Sequence, residues 1–187
     1  SNNTGLGLQA LYSNTTASNN TAVGESALFA NTTGAENVAI GKGALQFNTT
    51  APDNAAVGVQ ALRYNTTGTS NTAIGRSALY SNTTGASNTA VGYGGLSSNT
   101  TGYDNTALGH GALASLTTGY SNTAVGKGAG SLITTGVSNT ILGRFDGNQG
   151  GLDIRTGSNN IVLSDGAGNP RGYYLGASSS PAWAFKT

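Results

Sequence analysis

The chain is expected to be all-β, a parallel β-solenoid of stacked coils. Three observations predict this: a motif returns at every seventeenth position, one glycine recurs in every copy, and charge is scarce. The motif is Asn-Thr-Ala-Val-Gly with small variations. Its asparagine stands at Asn3, Asn20, Asn37, Asn54, Asn71, Asn88, Asn105, Asn122 and Asn139, and every interval is the same. The full unit is N-T-A-V-G-x-x-A-L-x-x-N-T-T-G-x-x, with positions 1 to 17 counted from that asparagine. Eight complete units run from Asn3 to Ser138, and a ninth departs from the pattern after Arg144. The next Asn-apolar motif, Asn160-Ile161-Val162-Leu163, follows Asn139 at a longer interval, so the period breaks there. Residues 1–143 thus read as a repeat solenoid and 144–187 as a non-repeating cap or β segment.

Which positions vary indicates which way they face. Position 5 is glycine in every copy: Gly7, Gly24, Gly41, Gly58, Gly75, Gly92, Gly109, Gly126 and Gly143. It marks a turn or a close backbone approach. Position 4 is always aliphatic (Val23, Ile40, Val57, Ile74, Val91, Leu108 and Val125 in the complete inner units). Position 9 is Leu11, Leu28, Leu45, Leu62, Leu79, Leu96 and Leu113 in the first seven units. Charged residues of the repeats fall only at positions 6, 10 and 17, as with Glu25, Lys42, Arg76, Lys127, Arg63, Glu36, Asp53 and Asp104. Unpaired charges avoid the interior, so these positions are assigned to solvent and positions 4 and 9 to the core.

Locally, positions 1 to 4 form a short strand, with 2 and 4 on one face and 1 and 3 on the other. Positions 8 to 14 fit either a second strand or one helical turn, and the pattern does not choose between them. At position 15, Ala51 precedes Pro52, which disfavours a left-handed backbone there. The glycine usual at that position therefore reflects tight space. Stacked coils place each inward side chain on its counterpart, with position 1 as an amide ladder and the threonines of positions 13 and 14 as hydroxyl columns. At ~4.8 Å per coil, nine coils make a rod roughly 40 Å long. Such a thin core favours association of several chains, most naturally three.

The last units change character. Position 12 is asparagine in the first six units, then Leu116 and Ile133; position 9 becomes Gly130, and Leu132 appears at position 11. Apolar mass has moved across the coil, which predicts a rearranged core or a tighter chain-to-chain contact. Residues 144–187 carry Phe145, Tyr173, Tyr174, Trp183 and Phe185 and are expected to hide the open sheet edge.

Composition narrows function further. Charged residues make up 8% and apolar residues 36% of the 187, with 30 glycines, no cysteine and a formal net charge of +1. That combination does not fit a disordered chain and gives no electrostatic reason to expect nucleic acid. There is no disulfide framework and no thiolate metal site, and no apolar run long enough for a membrane-spanning helix. Residue 1 already lies inside a repeat, so the chain is expected to be a piece of a longer protein with any targeting signal outside it.

No catalytic constellation emerges, and neither cofactor nor metal is expected. The one histidine, His110, stands at solvent-facing position 6. Asp146 and Asp153 are the least distant candidates for a paired-carboxylate site, but a loop with separately satisfied acids is the simpler reading. Gly-Lys-Gly at 41–43 and 126–128 belongs to the repeat and lacks the spacing of a phosphate loop. The adjacent threonine pairs do not form the flat T-x-T ranks of an ice-binding face. Asn-Thr-Thr at Asn14, Asn31, Asn48, Asn65, Asn82 and Asn99 is an N-glycosylation sequon, with a structural turn motif as the favoured reading. Aromatics at outward positions suit glycan stacking or lateral packing between chains: Tyr12, Phe29, Phe47, Tyr64, Tyr80, Tyr93, Tyr103 and Tyr120. Tyr173, Tyr174 and Trp183 are candidate receptor contacts.

The motifs Asn-Val-Ala-Ile-Gly (37–41) and Asn-Thr-Ala-Val-Gly (20–24, 88–92, 122–126) resemble the head repeats of trimeric autotransporter adhesins (YadA-like heads), with a longer unit here. The longer unit with Ala-Leu-Tyr-Ser-Asn-Thr-Thr-Gly (78–85) looks more like phage tail-fibre repeats. The stretch from Ser158 to Gly166, and on through Gly172, resembles the segment preceding the self-cleaving intramolecular chaperone of endosialidase-type tail fibres. That chaperone is absent from the sequence, which implies a cleaved end at or near Thr187. The resemblance implies a homotrimeric shaft and host-attachment segment of a tail fibre, part of a virion, with a host surface glycan or protein as partner. The alternatives are the head of a bacterial trimeric surface adhesin and, third, an ice-binding solenoid.

Overall fold

The computed structural model describes residues 2–176 and 183–185. Each repeat contributes one three-residue strand: β1 Thr4–Leu6, β2 Thr21–Val23, β3 Val38–Ile40, β4 Ala55–Val57, β5 Thr72–Ile74, β6 Thr89–Val91, β7 Thr106–Leu108, β8 Thr123–Val125 and β9 Thr140–Leu142. All nine pair in parallel and in chain order, each residue beside its counterpart in the next coil, as in Ala73↔Ala90 and Ile74↔Val91. The chain is a parallel β-solenoid, and no helix occurs among the described residues.

Positions 8 to 14 are neither strand nor helix. The backbone there reverses hand at positions 7 and 9, where Ser77 has φ 56° and Leu79 φ 51°. Position 17 is left-handed too, as at Ser87 with φ 56°. The corner keeps its hydrogen bonds by pairing coil to coil: Leu62 N donates to Ala78 O at 3.0 Å and Thr66 N to Thr83 O at 2.9 Å. Position 13 hydroxyls join this ladder, Thr66 Oγ1 donating to Thr83 O at 3.0 Å. They bond carbonyls and not one another, whereas position 14 threonines face solvent. Left-handed leucine is costly in isolation. It is held here because every neighbouring coil imposes the same path.

The core runs down the middle of each coil as two alanines and a leucine. Positions 3, 8 and 9, for example Ala73, Ala78 and Leu79, are fully buried. This corrects the expectation for position 4. Val23, Ile40, Val57, Ile74, Val91, Leu108 and Val125 lie outside the buried core; Ile74 is 43% exposed and Val125 37%. The alternation of the strand was right, but its inward face is the alanine face. The reason is volume: Leu28, Leu45, Leu62, Leu79, Leu96 and Leu113 fill the narrow interior, leaving room opposite for a methyl group only.

The late exchange of residues is a repacking of that same space. A Cβ on Gly130 would stand 2.8 Å from Leu113 Cδ2, 3.0 Å from Ile141 Cδ1 and 3.3 Å from Ile133 Cδ1. Losing leucine at position 9 is thus offset by Ile141 at position 3 and Ile133 at position 12, both fully buried. Leu132 remains 42% exposed.

Beyond β9 the chain makes a small antiparallel hairpin, β10 Asn148–Gln149 with β11 Leu152–Asp153. It then re-enters the stack as β12 Asn160–Ser164, parallel to β9 with Val162 beside Ile141. Asn160 rejoins the amide ladder across the longer interval, its N donating to Asn139 Oδ1 at 3.0 Å. β13 Pro170–Leu175 and β14 Trp183–Phe185 follow antiparallel and cover the edge of β12. Phe145 is buried beneath this region. The expected cleaved end near Thr187 lies outside the described residues.

Two backbone positions yield a test. At Gly92, φ is +130°, and a Cβ would sit 2.6 Å from the carbonyl carbon and oxygen of Gly109. Gly92→Ala should cost on the order of 3 kcal/mol. Ser87→Gly, at a left-handed site without such a clash partner, should stabilise by about 0.5 to 1 kcal/mol. Thermal unfolding of the two variants should shift in opposite directions.

Candidate binding surfaces

The polar interior decides which side chains are available outside. Asparagines of positions 1 and 12 are both buried and form two parallel ladders. At position 1, Asn88 N and Nδ2 donate to Asn71 Oδ1 at 3.0 and 3.2 Å. At position 12, Asn82 Nδ2 donates to Asn65 Oδ1 at 2.8 Å. The two meet on the position 15 carbonyl: Gly85 O accepts from Asn71 Nδ2 and Asn82 Nδ2, each at 2.8 Å. Position 15 is not left-handed. A Cβ on Gly85 would collide with the Gly102 carbonyl and the Asn82 amide, so tight space explains the residue.

The ladder asparagines Asn20, Asn37, Asn54, Asn71, Asn88, Asn105 and Asn122 are all fully or almost fully buried. The sequon asparagines share that fate. Asn31, Asn48, Asn65, Asn82 and Asn99 are 0% exposed, with the nitrogen that would carry a glycan engaged inside. The folded coils therefore present no glycosylation acceptor at these five sites.

The second ladder stops where Leu116 takes position 12. Asn99 Oδ1 is consequently buried with no partner. Replacing Asn65 by Leu would orphan Asn48 Oδ1 as well as Asn99 Oδ1, whereas Asn99→Leu only moves the orphan to Asn82. Chemical denaturation should show Asn65→Leu less stable than Asn99→Leu by about 1 to 3 kcal/mol.

The outward aromatics line up as the register demands. Tyr12 stacks on Phe29 at 5.3 Å, Phe47 on Tyr64 at 5.3 Å and Tyr103 on Tyr120 at 4.7 Å. Tyr80 meets Tyr64 edge-on at 5.1 Å, and its hydrogen bond raises the Tyr64 phenol pKa. Arg63 lies over the Phe47 and Tyr64 rings. An apolar cleft of about 440 Å³ forms beside Phe47, Tyr64 and Thr83. The rings thus stack coil on coil within the chain and form short outward columns.

At the cap, Tyr174 and Trp183 are cross-strand neighbours with rings 5.9 Å apart, and Trp183 stacks near Phe185 at 6.2 Å. Trp183 is 49% and Phe185 76% exposed. Tyr173 packs against the core instead, so the structure brings together only two of the three candidate contacts.

The acids do not converge. Asp146 accepts from Asn148 N at 2.8 Å, while Asp153 binds Arg155 at 2.8 Å; the two line separate clefts. Hydrogen bonding from Arg155 lowers the Asp153 pKa. No group of three or more metal-ligating acids, histidines or cysteines occurs among the described residues. No helix there is long and apolar enough to cross a membrane.

Asp165 organises the turn between β12 and β13. It accepts from Ala167 N and Asn169 N at 2.9 Å each and pairs with Arg171 at 2.6 Å. The arginine, above all, lowers its pKa from 3.8 to about 2. A depressed carboxylate stabilises the fold above its unfolded pKa and loses that contribution as pH falls through its folded one. The turn should therefore loosen between about pH 4 and pH 2. NMR titration of the Ala167 and Asn169 amides should show that midpoint near 2, and Asp165→Asn should abolish it.

Fold and surface together define a capped β-solenoid with regularly spaced outward columns. Comparison with family models, with curated proteins and with solved structures returns no match.

Proposed function

We propose that the chain is one third of a homotrimeric shaft, the repeat region and host-attachment end of a phage tail fibre. One observation carries the reading: the outward column of position 4. Leu6, Ile40, Ile74, Leu108, Leu142 and, past the period break, Leu163 are all more than a third exposed. Val23, Val57 and Val91 fill the same file half-buried. No charged residue occupies position 2 or 4 in any of the nine copies.

A continuous aliphatic stripe of this length left in water marks an interface. In-register stacking runs the stripe from coil to coil, which suits parallel rods packed around a common axis, where coil meets identical coil and the stripes close on one another. The motif resemblances to tail-fibre repeats and the chaperone-proximal segment support the viral reading. The exposed Trp183 and Phe185 place aromatic surface at the cap, where a host glycan or protein would be met. The same trimer would serve a bacterial surface adhesin, which neighbouring secretion genes would identify.

Sedimentation or native mass measurement should give three chains. Ile74→Asp with Leu108→Asp should yield monomers that keep the circular dichroism of the coils. A monodisperse monomer of the unaltered chain at micromolar concentration would overturn the proposal.

A further inference from the structure

Position 6 follows the glycine corner and is exposed in every coil. In the later coils it reads Arg76, Tyr93, His110, Lys127 and Arg144. In register these stand about 4.8 Å apart along the rod. Earlier, Lys42 is matched by Glu25 at 2.9 Å. Among the described residues, no ion pair joins Lys127 or Arg144 to an acid.

The groove beside this column also changes shape. Over coils 2 to 4 it is crowded by Gln46, Gln60 and Arg63 and holds about 160 Å³. From Asn88 onward the crowding positions shrink together. Position 7 becomes Gly94, Gly111 and Gly128, and position 10 becomes Ser97, Ala114 and Ser131. A Cβ on Gly111 would meet nothing within 4 Å. The groove widens there to about 500 Å³ and is closed at one end by Asp146, Gln149 and Ala167.

The lining is specific in its chemistry. Lys127 and Arg144 offer adjacent cations, and His110 is held beside them by stacking on Tyr93 at 5.1 Å. Asp146 commits Oδ1 to the Asn148 amide. Its other oxygen, with the Ser131 hydroxyl, can bond a ligand's hydroxyl groups. A carboxylate in the wall disfavours a densely charged polyanion, and only alanines supply apolar side chains to the lining.

We infer that this groove binds an acidic saccharide, with Lys127 and Arg144 on its carboxylate or phosphate and Asp146 and Ser131 on its hydroxyls. The volume suits two or three sugar rings. The inference extends the attachment reading but lies within one chain, so it stands or falls without the trimer.

Calorimetric titration of the full chain at low salt tests it, using trigalacturonate, maltotriose phosphate, neutral maltotriose, triaspartate and inorganic phosphate. At least one acidic saccharide should bind about tenfold or more tighter than the other three probes, and which one binds identifies the charge recognised. Lys127→Gln and Arg144→Gln should each weaken binding about tenfold. Gly111→Gln should abolish it by refilling the groove. That variant should fold, because Gln60 holds the same position at φ 61° against 65° for Gly111. Binding that ignores these substitutions, equal binding of triaspartate or inorganic phosphate, or no binding of either acidic saccharide would overturn the inference. Oligomeric state measured on the same samples separates the two proposals: a monomer that still binds refutes the shaft alone.

Discussion

Exact superposition of one coil on the next is the constraint on which the structure depends. Each backbone amide that points along the rod finds its partner in the adjacent coil, in the strands and equally in the left-handed corner. An extra residue kept within a coil would shift that coil out of register with its neighbour and break the backbone and asparagine bonds between the two. The longer interval before Asn160 is tolerated because its extra residues leave the stack as the β10–β11 hairpin and return in register. The ladder bond from Asn160 to Asn139 is as short as those between regular coils.

The same superposition makes unusual conformations possible. An isolated leucine at φ near 50° would relax. Here Leu28, Leu45, Leu62, Leu79, Leu96 and Leu113 adopt it one above another, and each is fully buried by its neighbours. The interior is half polar because asparagine fills both position 1 and position 12 of coils 2 to 6; in the seventh coil Leu116 takes position 12 beside Leu113, and both are fully buried. Buried amides are acceptable only when fully bonded, and the bifurcated position 15 carbonyl achieves this for both columns. The exception at Asn99 marks the join between an amide-filled and an aliphatic-filled stretch of the rod.

Register also explains how a repetitive chain can carry local function. Substitution at one position builds a column, and correlated substitution at two or three positions opens or fills a groove. The widening beside Lys127 and Arg144 arises because positions 7 and 10 shrink over the same coils. Nothing in the backbone path needs to change, since position 7 is left-handed whether it bears glutamine, serine or glycine.

The sequence by itself determined the period, the all-β stack, the amide ladder of position 1, the tight glycine of position 15 and the solvent-facing charges. Each follows from the strict spacing of the motif and from the cost of burying a charge. What only the tertiary structure decided was which strand face is inside. Alternation places Ala73 and Ile74 on opposite faces but not in or out, and hydrophobicity alone chose wrongly. The choice depends on how much volume Leu79 leaves across the coil, a distance that no single repeat encodes. The burial of the sequon asparagines was out of reach for the same reason: whether Asn65 faces water or Gly68 depends on a corner whose left-handed residues, Gln60 and Leu62, carry no local signal. The late shrinkage at positions 7 and 10 was visible in the letters. Its meaning as a groove required knowing that those positions flank position 6 in space.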